Sequence, residues 1–155
     1  MASEWRRDEY TISTDPARLD LAGVHGFLTR SYWAAGIPLD VVRRSIEHSL
    51  PFGLYHGERQ IGFARVVTDY ATFAYIGDVF ILDEYRGQGL GTWLLEAVVA
   101  CPELQGLRRW ALLTRDAHAL YRKVGFTGIS RPERWMERVF ADVYKAADRH
   151  DEPSH

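Results

Sequence analysis

Apolar positions along this 155-residue chain recur in two rhythms, every second residue over short stretches and every three to four residues over longer ones. The charged start over residues 1–8 predicts a frayed end, and Glu9 to Ser13 alternates as a short strand does. Thr14-Asp15-Pro16 predicts a helix start, with Pro16 in the first turn, and the series Leu19, Leu21, Ala22, His25, Gly26, Leu28 carries that helix to about Arg30. Ser31 to Pro38 is a loop of aromatic and small residues. Leu39 to Ser49 is a second helix with Val42 and Ile46 on one stripe. Strands are expected at 52–56 and 60–68, joined at Gly57-Glu58, and at 72–82 after a turn near Asp69-Tyr70-Ala71. A helix over 89–100, a connector over 101–107, a strand over 109–114 and a helix over 116–123 stopped by Gly125 follow. Phe126 to Ile129 and Trp135 to Val139 are expected to close the sheet as a hairpin, before a charged tail from about Asp142.

The element order is therefore β-α-α-β-β-β-α-β-α-β-β. Middle strands joined by short turns must be antiparallel, whereas a strand-helix-strand unit through 89–100 makes the next pair parallel. The fold class is α/β (α+β): a mixed, mostly antiparallel sheet with one parallel pair and helices on both faces. The length suits one domain over 1–155, with a core of about 9–140.

The most informative stretch is Arg86-Gly87-Gln88-Gly89-Leu90-Gly91, between the apolar run Val79-Phe80-Ile81-Leu82 and the helical pattern from Thr92 to Ala100. A strand, a glycine-rich turn and a helix N-terminus aim free backbone N–H groups and the helix dipole at one point, which favours phosphate. No lysine follows Gly91, so this is no P-loop, and Thr92 stands where a dinucleotide fingerprint needs its last glycine.

The spacing R-x-x-G-x-G from Arg86 to Gly91 resembles the pyrophosphate signature of the GCN5-related N-acetyltransferase (GNAT) superfamily. Ala117, Tyr121, Gly125 and Phe126 are similarly spaced to the C-terminal signature of that superfamily, A-x-x-x-Y-x-x-x-G-F. The resemblance covers roughly residues 9–140 and extends to the order of elements. It implies an acyl-coenzyme A-dependent N-acetyltransferase that moves acetyl from acetyl-coenzyme A to a primary amine by direct attack. Arg86, Gly87, Gln88, Gly89, Leu90, Gly91 and Thr92 would hold the diphosphate. Backbone groups near Phe80 and Ile81 would orient the pantetheine and thioester. Thr114 stands where many members carry an asparagine that contacts the pantetheine, and offers a shorter reach. Tyr121 would be the general acid; a phenol is protonated at neutral pH and can give its proton to a departing thiolate. Two other functions fit the same turn: a non-catalytic acyl-coenzyme A sensor, and a nucleotide-binding oxidoreductase, which the antiparallel hairpins oppose.

Asp78 lies inside an apolar strand, so it must be satisfied or functional. A turn centred on Tyr70-Ala71 pairs residues summing to 141, which sets Phe63 opposite Asp78 and Arg65 diagonally beside it. Asp78 is then either the partner of Arg65 or a catalytic base for the amine. Tyr32 and Trp33, in the loop that walls the acceptor side in the resembling fold, are candidate substrate contacts.

Composition narrows the rest. A net charge of −2 gives no broad basic surface for nucleic acid. One cysteine, Cys101, rules out an intrachain disulfide, and no His/Cys cluster suggests a metal. A start without an apolar run, and no stretch long enough to span a membrane, lead to the expectation of a cytoplasmic protein. A homodimer is compatible with so small an enzyme; the amine acceptor is open.

Overall fold

The strands of this sheet lie side by side in chain order throughout, whether a tight turn or a pair of helices joins them. The computed structural model describes residues 2–145. Its six strands are β1 (Glu4–Arg7), β2 (Tyr10–Ser13), β3 (Leu50–His56), β4 (Arg59–Thr68), β5 (Phe73–Ile81) and β6 (Arg109–Leu112), in that spatial order. Every neighbouring pair from β1 to β5 is antiparallel. β5 and β6 are parallel, joined through α3 (Leu90–Ala100).

Two cores lie on either side of this sheet. α1 (Leu21–Leu28) and α2 (Leu39–Glu47) bury Val24, Leu28, Val42 and Ile46 against Phe63 and Phe80. α3 and α4 (His118–Arg122) cover the other core, where Leu90, Leu94, Leu95 and Val98 meet Phe52, Ile61, Val66 and Ile76. Phe63 and Ala64 fall into different cores because successive strand residues face opposite sides. Truncating a fully buried leucine such as Leu94 to alanine costs about 2–5 kcal/mol, and burial of this kind, more than propensity, seats α3 against the sheet.

Four expectations need correction. Residues 4–7 are not frayed: they pair with β2 through a tight turn at Asp8, whose φ is +54°, and Trp5 packs on Phe52 with ring centroids 6.1 Å apart. The first helix is not continuous from Pro16. A 3₁₀ turn at Pro16–Arg18 ends at Leu19, and α1 restarts after Asp20, whose carboxylate accepts from the Gly23 N–H at 3.0 Å and caps it. Neither Phe126–Ile129 nor Trp135–Val139 forms a strand, so the closing hairpin is absent and the sheet ends at β6. A 3₁₀ turn at Pro132–Arg134 separates the two segments, and only Phe126 reaches the core. The tail expected from about Asp142 lies mostly outside the described residues.

The fourth correction bears on the site. β4 and β5 do not pair with a sum of 141. Arg65 opposes Gly77 and Phe63 opposes Phe80, with a register shift between them. The Asp69 carboxylate accepts from the N–H groups of Ala71, Thr72 and Phe73 and from the Thr72 hydroxyl, which holds its pKa well below the usual carboxylate range and lengthens the turn. A second residue is inserted between Gly77 and Phe80, opposite Ala64, and there Asp78 takes a φ of +56°. Such a bulge kinks the strand and re-aims a side chain.

Candidate active site

The loop into α3 begins with a 3₁₀ turn at Asp83–Tyr85 and an extended Arg86. Gly87 and Gly89 then take φ of +80° and +79°, where a side chain is strained, and a Cβ on either would stand in open space. Trp93 makes the first bond of α3, to the Gly89 carbonyl at 3.1 Å. Among the described residues, none of the N–H groups of residues 87–92 donates to another backbone group. Gly91 lies close beneath them, where a Cβ would stand 3.8 Å from Ile81 and 3.9 Å from Leu120. Leu90, buried, anchors the first turn, and Thr92 follows it on the same turn. Arg86 is folded back: its Nε donates to the Ile81 carbonyl at 3.1 Å and its Nη1 pairs with Asp83 at 3.0 Å. The Gln88 amide oxygen accepts from Tyr10 at 3.4 Å. This cluster of free donors, a dipole and an arginine, with no Cβ in the approach, fits a diphosphate.

A cleft leads away from that turn. β5 pairs with β6 only as far as Ile76 and Leu112, while β5 itself continues to Ile81. The backbone of residues 77–81, including that of Phe80 and Ile81, therefore has a free edge on the β6 side. Phe80 keeps its ring in the α1 core, stacked on Phe27 at 3.9 Å. On the far side of the cleft, the Thr114 hydroxyl accepts from the Ala117 N–H at 3.0 Å and starts α4.

Tyr121 projects from α4 with 8% of its surface exposed. Burial pushes its phenol up to about 12, and the nearby Tyr32 and Tyr75 phenols push the same way. Desolvation is the larger cause of this shift. Tyr32, Tyr75 and Tyr121 come from three elements, the loop after α1, β5 and α4.

Asp78 sits at the inner end of this space. Its Oδ2 accepts from Arg65 Nε at 2.9 Å and its Oδ1 from the Trp33 indole at 2.9 Å, and Arg65 also donates to the Ser49 hydroxyl at 3.1 Å. The Arg65–Asp78 partnership expected from the sequence is formed, though through the bulge rather than the expected register. Tyr32 stands edge-on to Trp33 at 5.1 Å, and the Arg115 guanidinium lies 3.8 Å from the Tyr32 ring centre. Tyr75, Ser49, Phe27 and Arg115 were not singled out in the sequence. Tyr75 could have been, since it precedes Gly77 on one strand face; the other three come from elements whose approach only the fold reveals. His118 is exposed and Cys101 is buried in the α3 core, apart from this site.

Among the described residues no group of three or more His, Cys, Asp or Glu is placed to hold a metal ion, and no helix is long and apolar enough to cross a membrane.

Known proteins resemble this chain in sequence and fold. Residues 47–128, from the end of α2 through α4, match a family described as an acetyltransferase (GNAT) domain. The acetyltransferase candidate FG08082 of Gibberella zeae is 34% identical over 142 residues, covering 77% of this chain and 79% of that protein. Thialysine N-epsilon-acetyltransferase of Mus musculus is 26% identical over 96 residues, covering 57% of this chain and 56% of its own length. A candidate GNAT-family acetyltransferase from Xanthomonas campestris pv. campestris superposes with a TM-score of 0.85 at 50% identity, covering 87% of this chain and 96% of that one. With the family match spanning the phosphate turn, the parted strands and α4, this chain belongs to the GNAT family of acetyltransferases.

Proposed function

We propose that this chain transfers acetyl from acetyl-coenzyme A to a primary amine by direct attack, with Tyr121 as general acid. The observation that carries the reading is the continuity of the cleft: free N–H groups at the start of α3, a free β5 edge over residues 77–81, and the unbonded Tyr121 hydroxyl across from it. Residues 87–92 and Arg86 bind the diphosphate. The β5 edge near Phe80 and Ile81 orients the pantetheine and polarises the thioester carbonyl, and Thr114 offers its hydroxyl from the β6 side.

Acetyl-coenzyme A supplies an activated acyl carbon. The amine nitrogen bonds to that carbon as the carbon–sulfur bond breaks, and Tyr121 gives its proton to the sulfur, to be reprotonated from solvent. A pKa near 12 makes Tyr121 a reluctant acid in water. In the same desolvated cleft the thiolate is disfavoured too, so donor and acceptor rise together. Asp78 has both oxygens occupied by Trp33 and Arg65, so it acts as a base only by releasing one of them. We assign it instead to holding Trp33, and with it Tyr32, as the acceptor wall. The amine's proton leaves through water. The −2 balance and the Asp78–Arg65 neutralisation select no particular amine.

The test is calorimetry with acetyl-coenzyme A, followed by thiol release across a panel of primary amines. Saturable binding with amine-dependent release is expected. Absence of binding overturns the reading, and binding without release from any amine would leave an acyl-coenzyme A sensor.

A further inference from the structure

The acceptor wall carries a cation that the transfer step does not use. Arg115 follows Thr114 in the turn between β6 and α4, and its guanidinium lies 3.8 Å from the centre of the Tyr32 ring. A chain of contacts fixes it there. Arg65 and the Trp33 indole each donate to Asp78 at 2.9 Å, Tyr32 stands edge-on to Trp33 at 5.1 Å, and Arg115 covers the Tyr32 ring. Along the backbone, the Thr114 hydroxyl accepts from the Ala117 N–H at 3.0 Å and shapes the turn that carries Arg115. Both partners of the stack reach solvent, Tyr32 with 54% of its surface exposed and the Arg115 side chain with 64%. A guanidinium over a ring keeps its N–H edge clear, and its planar fork loses little freedom when that edge is bonded. Here the edge is unmet: among the described residues its one charged neighbour is Asp116, 3.6 Å from Nη2, too far for a hydrogen bond.

We propose that the acceptor amine carries a carboxylate and that Arg115 receives it, as a specificity-determining residue on the acceptor wall. The inference rests on the acetyl transfer proposed above. Charge argues for an anionic group over a second cation. The Asp78 side chain is 11% exposed and both its oxygens are taken, so an ammonium beyond the reacting one finds no open carboxylate there. It would also meet Arg115 as a like charge. A carboxylate in the same place gains two parallel N–H···O bonds from the guanidinium fork. Tyr32 links this group to the chemistry: its ring carries Arg115, and it is near enough to Tyr121 to push that phenol upward. Arg115 therefore stands one side chain away from the proposed general acid. A free amino acid and a peptide with an acidic residue beside its amine share this chemistry.

The experiment compares acceptors matched except for charge: α-, γ- and ε-amino acids against their amides, and glycyl-aspartyl amide against glycyl-asparaginyl amide for the peptide source. The quantity read is the acid-to-amide ratio of kcat/KM for thiol release, with circular dichroism to confirm folding. Differences in amine basicity cancel when that ratio is compared between wild type and variant. Arg115→Gln should lower the ratio by roughly 10- to 100-fold, through KM for the acid rather than kcat. Arg115→Lys, which keeps the charge without the fork, should recover part of it. Asp116→Asn, which removes the competing carboxylate, should hold or raise it. Calorimetry of the N-acetylated acids and amides on the coenzyme A-loaded protein should show the same preference, lost in Arg115→Gln. A ratio that Arg115→Gln leaves unchanged in every pair, a fall in Asp116→Asn, or an equal rise in KM for acetyl-coenzyme A overturns this inference alone. Thiol release from no amine at all overturns the transfer reading and this inference with it.

Discussion

The Trp33 indole donates to Asp78 Oδ1 at 2.9 Å across 45 residues of sequence, and the same carboxylate accepts from Arg65 at 2.9 Å. One bulge residue therefore ties the loop between α1 and α2 to the centre of the sheet. Without the left-handed backbone at Asp78, β5 alternation would turn this carboxylate away from Arg65 and Trp33.

Removing Asp78 should be costly in two separable ways. Asp78→Ala leaves the Arg65 guanidinium, 19% exposed, without its charge partner and puts alanine at φ +56°, so stability should fall by about 3–5 kcal/mol. Asp78→Asn keeps an acceptor for Trp33 and tolerates the left-handed region, and should lose at least about 1 kcal/mol less. Urea denaturation of both variants checks this; equal losses would show that neither backbone nor indole matters here.

Gly89→Val should abolish acetyl-coenzyme A binding. It strains a residue held at φ +79° by about 1–2 kcal/mol and puts a branched side chain in the open approach to the free N–H groups. Gly91→Ala is the contrast: its Cβ would make ordinary contacts with Ile81 and Leu120, so the fold should be unharmed. Calorimetry and thermal melts read both, and unchanged affinity in Gly89→Val would remove the phosphate assignment.

Tyr121→Phe keeps the ring but loses the proton. We expect kcat to drop by roughly ten- to ten-thousand-fold with little change in KM for acetyl-coenzyme A, because the hydroxyl acts in the transition state. In wild type the phenol keeps its proton up to about pH 12, so its ionisation should cause no loss of rate between pH 8 and 10. Wild-type kcat in the Phe variant would return Tyr121 to a packing role.

Tyr55 gives a test of the fold alone. Burial pushes its phenol up to about 12, against the pull of Arg18, and its hydroxyl is buried without a hydrogen-bond partner among the described residues. The unfolded phenol ionises near 10 and the folded one near 12, so this stability is whole below pH 10 and is lost as pH rises towards 12, by about 2–3 kcal/mol. Tyr55→Phe should be neutral to stabilising at pH 7 and should remove its share of the alkaline loss. A Cβ at Gly53 would stand 2.6 Å from the Tyr55 ring, so Gly53→Ala should destabilise by about 1–3 kcal/mol. Denaturation at pH 7 and pH 11 compares the three proteins.

Features set by neighbours in sequence could be read without the fold. The glycines at 87 and 89 act through local backbone freedom, Gly125 at φ +97° ends α4 and returns the Phe126 N–H to the Tyr121 carbonyl, and the middle strands are joined by short turns that force antiparallel pairing. Those carried the antiparallel pairing of the middle strands, the parallel pair beyond them and the family. Tertiary structure decided what depends on distant partners or on side chains competing for backbone. Asp69 captured three N–H groups at the turn, and the β4–β5 register shifts again between Phe63 and Arg65, at the bulge that contains Asp78. Asp20 capped α1 and cut the first helix short of Pro16. The expected hairpin over 126–139 had the right alternation but no sheet edge in its own chain that it pairs with, because alternation encodes a face and not a partner. Tyr32, Tyr75 and Tyr121 lie far apart in sequence, and only the fold brings the first two near enough to push the Tyr121 phenol upward.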